Sequence, residues 1–509
     1  MSDKILISNN AALRSKYGKK GLAAVLAAVR ALVAADRKRG LVTQLIDISS
    51  AAAMKKHKGK AVTTPGDDGE CKDAVDAIYA ALKPDFLVLL DAPDVIPHFK
   101  LTNPVPKDKD GDIPSDLPYA SDAPSTSRDT AKYAAVTRVV GRLPGLTGAD
   151  NPEYLVALLK TAAGFKSLKR ANYMPAFALS AAVWQKSTAL SVNKIFGAMQ
   201  ATICPPTGTP GVQAMLAPLS HFINCHGAEV DPQFYGEQAK SYPISMTSAD
   251  VAKGNRKNAI IAAECCFGAQ LYDPSFTGGK LPISNAYLRA GAIGYFGSTT
   301  TAYGPAEGNS AADLITQYFL IRAMQGASLG RACLQARQQF VMGEKMEDPV
   351  NVKTLAQFLL LGDPSLQPCL VETADAASSA TDIDASGARK ARRVALGAFG
   401  KAAADSSGFP GRRIASPPKK LHDLVQQIAS KRGLSAKTED IEAFRIVGGE
   451  DYGKEMKAHK VAQQVVVVTD HHMATKAKGA EKGALPKTKV LVAHAQDDRV
   501  IKVVEYVRR

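Results

Sequence analysis

Two short apolar runs that end in reactive side chains constrain the fold of this chain more than any other feature. Residues 221–227 end in a His-Gly pair, and residues 259–268 contain two consecutive cysteines shortly before a glycine. Short apolar runs bounded in this way are typical of buried strands in a parallel sheet. Reacting groups in open α/β sheets lie at the carboxyl ends of such strands. If the two runs are neighbouring strands, an imidazole and a thiol meet at one sheet edge, which is the minimum for nucleophilic cysteine catalysis.

Strand-like and helix-like patterns alternate through the first part of the chain. This alternation predicts an α/β domain with a mostly parallel sheet and helices on both faces. The predicted strands are residues 4–8, 41–48, 85–91, 135–143, 176–183, the two runs above, 291–299 and a last strand that begins at 356. The predicted helices are residues 21–36, 73–82, 152–165, 188–199 and 311–325.

The chain is longer than one typical core, so two or more domains are expected. Residues 1–370 form the predicted α/β domain, with an N-terminal part at about 1–150 and a catalytic part at 151–370. Residues 371–420 are rich in Ala, Ser and Gly and carry basic pairs, which is typical of a flexible linker. Helix and strand patterns return in residues 421–509, which predicts a small α+β C-terminal module.

The chain carries a formal net charge of +16, and half of this excess lies in residues 371–509. A basic tail favours acidic partners such as nucleic acid or a membrane surface. The charges form no long unbroken run, so a solvated tail is the simpler interpretation. Nucleic acid therefore stays an alternative partner, and the C-terminal module is a candidate site for a protein partner.

Targeting and redox signals are weak along the whole chain. The first residues lack the pattern of a signal peptide. No apolar run approaches the roughly 20 residues that are needed to span a bilayer. Seven cysteines, an odd number spread thinly, do not predict a disulfide framework. We expect a cytoplasmic, reduced protein without a membrane span.

Several segments taken together resemble the gingipain family of cysteine peptidases, in the clan that also holds caspases, legumain, clostripain and separase. The resemblance covers residues 4–368, and the matching segments occur in the same order as in the family. These segments are residues 86–97, 139–144, the two opening runs, 291–299, the helix with 326–330, and 361–366. The resemblance implies a caspase-like α/β fold and a cysteine endopeptidase that hydrolyses peptide bonds through a Cys/His dyad and an acyl-enzyme. Residues 421–509 have no counterpart in the family.

The resemblance also assigns roles to single residues. His226 corresponds to the general acid and base. Cys265 corresponds to the nucleophile, because the family spacing Cys-x-x-Gly places that residue three positions before Gly268. Cys266 fits the Cys-x-Gly spacing of caspases and is the alternative. The backbone N–H groups of Gly227 and of the nucleophile, here Cys265, would form the oxyanion hole that stabilises the developing negative charge.

Two parts of the family's site are missing from the sequence pattern. In gingipains an acid that orients the histidine follows the strand that matches residues 176–183, but residues 183–186 here contain no carboxylate. Gln185 or a backbone carbonyl is therefore expected to hold the imidazole. The acid that would bind a basic P1 side chain is also not identifiable. The candidate residues of the substrate pocket are Trp184, Glu229, Asp231, Glu264 and Asp273.

No cofactor is expected, with one weak pattern for calcium. Asp108, Asp110 and Asp112 recur at every second residue, as the ligands of a calcium loop do. The position of the bidentate glutamate that closes such a loop is Tyr119 here, so an acidic surface loop is the simpler interpretation.

These features predict a gingipain-like cysteine endopeptidase that acts on polypeptides. If it prefers a basic P1 residue, the enzyme could cut itself at the basic residues 389–393 or 412–413 of the linker and release the C-terminal module. The alternative is a catalytically weak or inactive peptidase-fold scaffold, whose basic tail binds nucleic acid or an acidic protein. The missing orienting acid favours this alternative.

Overall fold

A computed structural model gives the positions of most of the chain. It describes residues 2–239, 241–305, 308–370, 395–396, 399–400, 412–414, 417–435, 437, 440–446, 464–473, 486–496 and 499–509. Most of the expected linker at 371–420, including the basic residues 389–393, lies outside the described residues. Among the helices of the described ranges, none is long and apolar enough to cross a membrane.

The described strands and helices alternate through residues 4–362, as the sequence patterns indicate. The strands are β1 (Lys4–Ser8), β2 (Thr43–Asp47), β3 (Phe86–Leu90), β4 (Phe99–Leu101), β5 (Ile113–Ser115), β6 (Val140–Leu143), β7 (Leu168–Lys169), β8 (Ala176–Ala181), β9 (Thr202–Cys204), β10 (Ser220–Asn224), β11 (His226–Gly227), β12 (Gln233–Tyr235), β13 (Ile244–Thr247), β14 (Ile260–Ala263), β15 (Gly294–Ser298), β16 (Tyr303–Pro305), β17 (Phe358–Gly362), β18 (Cys369–Leu370), β19 (Arg412–Ile414), β20 (Ile441–Arg445), β21 (Gln464–Met473), β22 (Pro486–Gln496) and β23 (Arg499–Arg508). The helices are α1 (Asn10–Lys38), α2 (Ala51–Lys55), α3 (Asp68–Leu82), α4 (Glu153–Gly164), α5 (Gln185–Phe196), α6 (Ser248–Gly254), α7 (Ile283–Arg289), α8 (Ala312–Met324), α9 (Leu329–Gly343), α10 (Pro349–Gln357) and α11 (Lys419–Lys431).

A ten-stranded sheet forms the centre of the α/β domain, in the order β2-β1-β3-β6-β17-β15-β14-β10-β8-β9. Its neighbouring strands run parallel except for β15 and β17. The strands between the edge strands β2 and β9 are buried along nearly their whole length, which explains their mostly apolar composition. The mostly parallel sheet and the helices on its two faces confirm the predicted caspase-like α/β class. The helices form two packed groups, α1-α4-α7-α6 and α5-α8-α9-α10.

Element boundaries differ from the sequence patterns where capping or tertiary packing decides. Helical turns already begin at Asn10, where the side chain of Asn9 accepts a hydrogen bond from the backbone N–H of Ala12, and a kink at Gly18 separates them from the helix that was predicted at residues 21–36. The predicted last strand begins two residues later than expected, since residues 356 and 357 end helix α10.

A six-stranded sheet, in the order β16-β23-β22-β21-β20-β19, contains the strands of the C-terminal module. It also includes β16 from the α/β domain, so the two parts of the chain share one sheet. Strand β19 lies inside the segment that was expected to be linker and pairs with β20, so the module's sheet starts before residue 421.

Successive residues of a strand point to opposite faces of a sheet. Apolar residues of other elements cover both faces of the six-stranded sheet. Val466 and Val468 of β21 pack with apolar residues of α11 on one face. Val465 and Val467 pack on the other face with Tyr303 of β16 and with apolar residues of α10. The module therefore lies against the α/β domain.

Candidate active site

The two apolar runs form neighbouring parallel strands, as predicted. Strands β10 and β14 pair with Ile223 opposite Ala263. His226 follows the carboxyl end of β10, and the two cysteines follow the carboxyl end of β14. The imidazole and the thiols therefore reach the same edge of the sheet, where parallel strands of an α/β fold place their reacting groups.

The two consecutive cysteines point to different surroundings. The sulfur of Cys265 lies 3.8 Å from the carbonyl oxygen of Ile223, within the neighbouring strand of the sheet. The sulfur of Cys266 accepts a hydrogen bond from the backbone N–H of Ala302 at 3.3 Å. It also contacts the backbone oxygen of Arg509. Cys265 thus packs into the sheet, whereas Cys266 faces the end of the C-terminal module.

Burial raises the pKa of both thiols above the usual range. For Cys266 the positive charge of Arg508 opposes this effect and favours the thiolate. For Cys265 the neighbouring thiols of Cys225 and Cys266 raise the pKa further. The surroundings therefore favour ionisation of Cys266 more than ionisation of Cys265.

Gly227 allows the histidine segment to touch the second cysteine. A Cβ atom at this position would overlap the carbonyl oxygen of Cys266. Any other residue would push the two backbones apart, so the glycine that follows His226 is a steric requirement of this contact. The contact brings strand β11, which carries His226, against the backbone of Cys266.

A carboxylate holds the imidazole of His226, and it belongs to Glu237. Nε2 of His226 lies 2.8 Å from Oε2 of Glu237. The other oxygen of Glu237 accepts hydrogen bonds from the hydroxyl of Tyr242 at 3.1 Å and from the ammonium of Lys487 at 2.6 Å. Gln185, which was expected as the orienting residue, is instead exposed at the start of α5. The partner of the imidazole is thus an acid that sequence reasoning missed.

Burial and the ion pair act against each other in this arrangement. Burial lowers the pKa of His226, while the hydrogen bond and charge of Glu237 raise it in part. Burial alone would raise the pKa of Glu237, but His226 and Lys487 outweigh it and lower that pKa to about 2. Glu237 is therefore ionised at neutral pH, and His226 is neutral and available as a base.

Glu237 comes from a different segment than the one in which an acid was sought. It follows β12 and lies eleven residues after His226 in the chain. Its backbone oxygen accepts a hydrogen bond from the N–H of Val183 at 3.2 Å, just after strand β8. Glu237 therefore reaches the end of β8, where the family's acid was expected, through pairing between two segments.

A buried pocket beside Cys266 holds the side chain of Arg509, and we call it the Arg509 pocket. Nη2 of Arg509 lies 2.8 and 3.0 Å from the two carboxylate oxygens of Asp313, in the first turn of α8. The guanidinium carbon lies 4.7 Å from the ring centre of Trp184. A Cβ atom at residue 304 would overlap the guanidinium, so Gly304 leaves the space that it occupies. The pocket therefore combines a carboxylate, an aromatic face and a glycine wall.

The predicted pocket residues separate into two groups. Trp184 lines the Arg509 pocket, and its ring centre also lies 4.3 Å from that of His226. Glu264 is buried beside Asp313, and burial together with the charge of Asp313 raises its pKa well above the usual range. The remaining candidates lie elsewhere: Asp231 accepts a hydrogen bond from Tyr235, Asp273 caps a short 3₁₀ helix, and Glu229 is exposed in a turn.

The aspartates of the calcium-like pattern surround a lysine. The ammonium of Lys353 pairs with the carboxylates of Asp108 and Asp110, and all three groups are buried. Asp110 also accepts hydrogen bonds from the N–H and the hydroxyl of Thr301, at 2.8 and 2.9 Å. Asp112 is exposed. This cluster fastens the segment that leads into β16, and no group of three metal-binding side chains occurs within the described ranges.

The fold and the site define a class of protein, a caspase-like α/β protein with a histidine and a cysteine at adjoining strand ends. The model of peptidase family C25, the gingipain family, matches residues 226–369. That stretch contains His226, both cysteines and Asp313. The resemblance to the gingipain family of cysteine peptidases is therefore confirmed over this stretch.

Solved structures are similar to this chain only at low sequence identity. No curated protein sequence matches the chain. A solved structure titled "Structure of Protease" is 13% identical and aligns over 99% of this chain and 96% of its own, with a TM-score of 0.44. A Saccharomyces cerevisiae separase–securin complex is 15% identical and aligns over 46% of this chain and 14% of its own, with a TM-score of 0.29.

Proposed function

We propose that the chain is a cysteine endopeptidase that cleaves polypeptides after arginine, with Cys266 as its nucleophile and His226 as its general base. One observation carries the proposal. Arg509 places its backbone oxygen against the sulfur of Cys266 while its guanidinium pairs with Asp313. A P1 residue needs the same two contacts, one at the reacting thiol and one at a specificity pocket.

The proposed reaction proceeds through an acyl-enzyme. His226 takes the proton of the Cys266 thiol, and the thiolate attacks the scissile carbonyl carbon to form a C–S bond. The tetrahedral intermediate collapses with cleavage of the C–N bond, and His226 gives its proton to the leaving amine. His226 then takes a proton from water, and the resulting hydroxide attacks the thioester. The C–S bond breaks, which releases the acid and restores the thiol when the proton returns.

Several contacts favour Cys266 over Cys265 as the nucleophile. Its sulfur faces the Arg509 backbone, whereas the sulfur of Cys265 lies against Ile223 within the sheet. Its backbone also touches Gly227, directly after the histidine. This choice corresponds to the caspase spacing, Cys-x-Gly, rather than to the Cys-x-x-Gly spacing that favoured Cys265.

The same contact suggests the oxyanion hole. The backbones of Gly227 and Cys266 lie against each other, so their N–H groups are candidates to stabilise the negative oxygen of the tetrahedral intermediate. Glu237 acts as a positioning residue. Its bond to Nε2 leaves Nδ1 of His226 as the ring nitrogen that exchanges protons with the thiol.

Specificity for arginine at P1 is supported by the chemistry of the Arg509 pocket. Asp313 is fully buried and supplies a negative charge to the guanidinium. Burial of an ion pair requires good geometry and further contacts, which the face of Trp184 provides. Burial and the charge of Asp313 raise the pKa of Glu264, which favours its neutral form.

A fluorogenic peptide library varied at P1 tests this function. Wild-type protein should cleave peptides with P1 Arg faster than those with P1 Ala, Asp or Leu. Cys266→Ala should lower kcat by about 10⁴-fold or more, because the nucleophile is lost. Cys265→Ala is the matched control, since it removes the neighbouring thiol, and it should keep most of the activity. Full activity of Cys266→Ala together with loss in Cys265→Ala would assign the nucleophile to Cys265.

Self-processing in the linker follows from arginine specificity and is part of this proposal. The basic residues 389–393 are the preferred sites, because Arg413 pairs through its backbone with β20 and would have to leave that sheet to be cut. Intact-mass measurement of wild-type protein and of Cys266→Ala tests it. We expect a fragment that ends within 389–393 only in the wild type, and identical intact masses would contradict the prediction.

The alternative of an inactive scaffold loses its main support. It depended on the absence of a carboxylate beside the histidine, and Glu237 supplies one. The module that would bind nucleic acid or an acidic protein packs against the chain's own α/β domain. A cytoplasmic location and a separate protein partner for the module stay predictions.

A further inference from the structure

We propose that the end of strand β23 is a built-in inhibitor: residues 506–509 occupy the peptidase's own substrate groove, and the enzyme opens when this segment leaves β16. The inference rests on the proposed function. It goes beyond it by naming the ligand of the groove, an extended peptide of the type Tyr-Val-Arg-Arg, and by naming how the site is regulated.

The segment binds as an extended substrate would. Strand β23 pairs antiparallel with β16, with Arg508 opposite Tyr303 and Tyr506 opposite Pro305. The pairing continues to the reacting group, since the N–H of Arg509 donates to the carbonyl oxygen of Ala302 at 3.0 Å. Recognition by strand addition uses backbone hydrogen bonds for affinity and side-chain pockets for specificity.

Three side chains of the segment enter distinct surroundings. Arg509 fills the Arg509 pocket. The guanidinium of Arg508 donates to the carbonyl oxygen of Gly227 at 3.3 Å. The hydroxyl of Tyr506 donates to the buried carboxylate of Asp348 at 2.7 Å. The groove therefore selects arginine at P1, a basic residue at P2 and a tyrosine at P4.

A second strand of the module reaches the catalytic histidine. The ammonium of Lys487 in β22 bonds to Glu237, the carboxylate that holds His226. Lys487, Arg508 and Val507 enclose a cavity of about 220 Å³ together with Trp184 and His226. The module thus covers the thiol, the arginine pocket and the histidine at the same time, so a free substrate has to compete with it for them.

The sheet order provides a route of release. Strand β23 lies between β16 and β22. Its pairing with β22 extends from Arg499 to Val507, whereas its pairing with β16 covers only residues 506–508. Separation from β16 therefore breaks the short pairing and leaves the long one intact. Because the inhibitor is tethered, its effective concentration is high, and a free peptide competes poorly unless one contact is weakened.

Alkylation of Cys266 by iodoacetamide in the full chain tests this inference. The rate is measured by peptide mapping with mass spectrometry. Arg509→Ala removes the ion pair with Asp313 and should accelerate labelling of Cys266 at least about tenfold, since truncating a buried ion pair costs a few kcal/mol. Arg499→Ala is the matched control: it removes an exposed arginine at the other end of the same strand, and the rate should not change.

A second variant removes the other partner of the ion pair between Arg509 and Asp313. Asp313→Asn should accelerate labelling to a similar extent, and the double variant should add little, because both changes break one interaction. The buried thiols Cys71 and Cys333 report on folding within the same map, since they become labelled only if the domain unfolds. Equal labelling rates of Cys266 in the wild type, Arg509→Ala and Asp313→Asn would overturn the inference.

This readout separates the inference from the proposed function. Faster labelling of Cys266 in Arg509→Ala without hydrolysis of any peptide would support the occupied groove and contradict the peptidase. Hydrolysis of Arg peptides with labelling rates unaffected by Arg509→Ala would support the peptidase and contradict the inhibitor.

Discussion

The two large sheets of this protein are assembled in opposite ways. The ten-stranded sheet takes all its strands from residues 4–362 and pairs them mostly in parallel. The six-stranded sheet joins β16 of the α/β domain to strands that lie more than a hundred residues further along the chain, and its pairs are antiparallel. The first sheet positions the reacting groups, and the second places a peptide segment against them. The placement of the proposed catalytic groups thus follows from a local rule, whereas the segment that contacts them is placed by long-range pairing.

The largest loss of stability is expected for a Lys353→Met variant, close to where β16 of the α/β domain joins the six-stranded sheet. This substitution leaves the buried carboxylates of Asp108 and Asp110 without their ammonium partner. Breaking a buried ion pair in this way costs about 3–5 kcal/mol. We expect the thermal midpoint to fall by roughly 5–10 °C, measured by circular dichroism.

A compensating variant serves as the control for Lys353→Met. The triple change Lys353→Met, Asp108→Asn and Asp110→Asn removes the buried charges together, so it should recover much of the lost stability. An unchanged midpoint in Lys353→Met alone would show that this cluster does not fasten the segment that leads into β16.

The next largest effect is expected on the kcat/KM of a variant in the Arg509 pocket. In an Arg509→Ala background, Asp313→Asn should lower kcat/KM for peptides with P1 Arg by about 10²- to 10³-fold, because the guanidinium loses its buried counter-charge. Peptides with P1 citrulline, which keeps the shape of arginine without its charge, should be affected much less. An equal loss for both peptides would assign Asp313 a structural role only.

Glu237 contacts both His226 of the α/β domain and Lys487 of the module, so its replacement affects both parts of the molecule. Glu237→Gln removes a charged hydrogen bond to His226, and kcat should fall about 10- to 100-fold. Glu237 raises the pKa of His226 against the lowering effect of burial. Its loss should therefore move the acidic limb of the pH–rate profile to lower pH. A limb that moves to higher pH would contradict this assignment.

The same carboxylate makes a pH-dependent contribution to stability. Its pKa is lowered from 4.5 to about 2 in the folded protein. A group with a depressed pKa stabilises the fold above its unfolded pKa, and this contribution is lost as the pH falls through the folded value. The stability difference between wild type and Glu237→Gln should accordingly shrink between about pH 4.5 and pH 2, measured by thermal unfolding at several pH values.

The smallest change in stability is expected within the six-stranded sheet, at strand β23. Tyr506→Phe removes one hydrogen bond to Asp348 and keeps the ring, which costs about 1–3 kcal/mol for a bond to a charged group. Hydrogen exchange of residues 499–509 should become several-fold faster, while exchange in β10 and β14 stays unchanged. Equal acceleration in both sheets would indicate that they do not separate independently.

Much of the fold was predictable, because it depends on patterns along single segments. The apolar runs at β10 and β14, the alternation of strands and helices, and the helix and strands of the C-terminal module are all visible in the sequence. His226 and the two cysteines could be placed at one sheet edge for the same reason. The family match over residues 226–369 confirms the class that these runs indicate.

The remaining parts of the site depend on contacts between segments. Glu237 reaches His226 from the segment after β12, the strand that pairs with β11, and Asp313 is fully buried although acids in the first turn of a helix are usually exposed. The acidic first turn of α8 was a weak signal that sequence reasoning did not use. Asp313 lies 196 residues before its partner Arg509 in the chain.

Periodicity and strand order act locally, so they are enough to predict the parallel sheet with an imidazole and a thiol at one of its edges. Long-range packing is needed to select the cysteine that faces the Arg509 pocket, the acid that holds His226 and the segment that lies against them. The reason is physical: side-chain direction at a strand end depends on the backbones packed against it. The backbone oxygen that meets Cys266 comes from a residue 243 positions away.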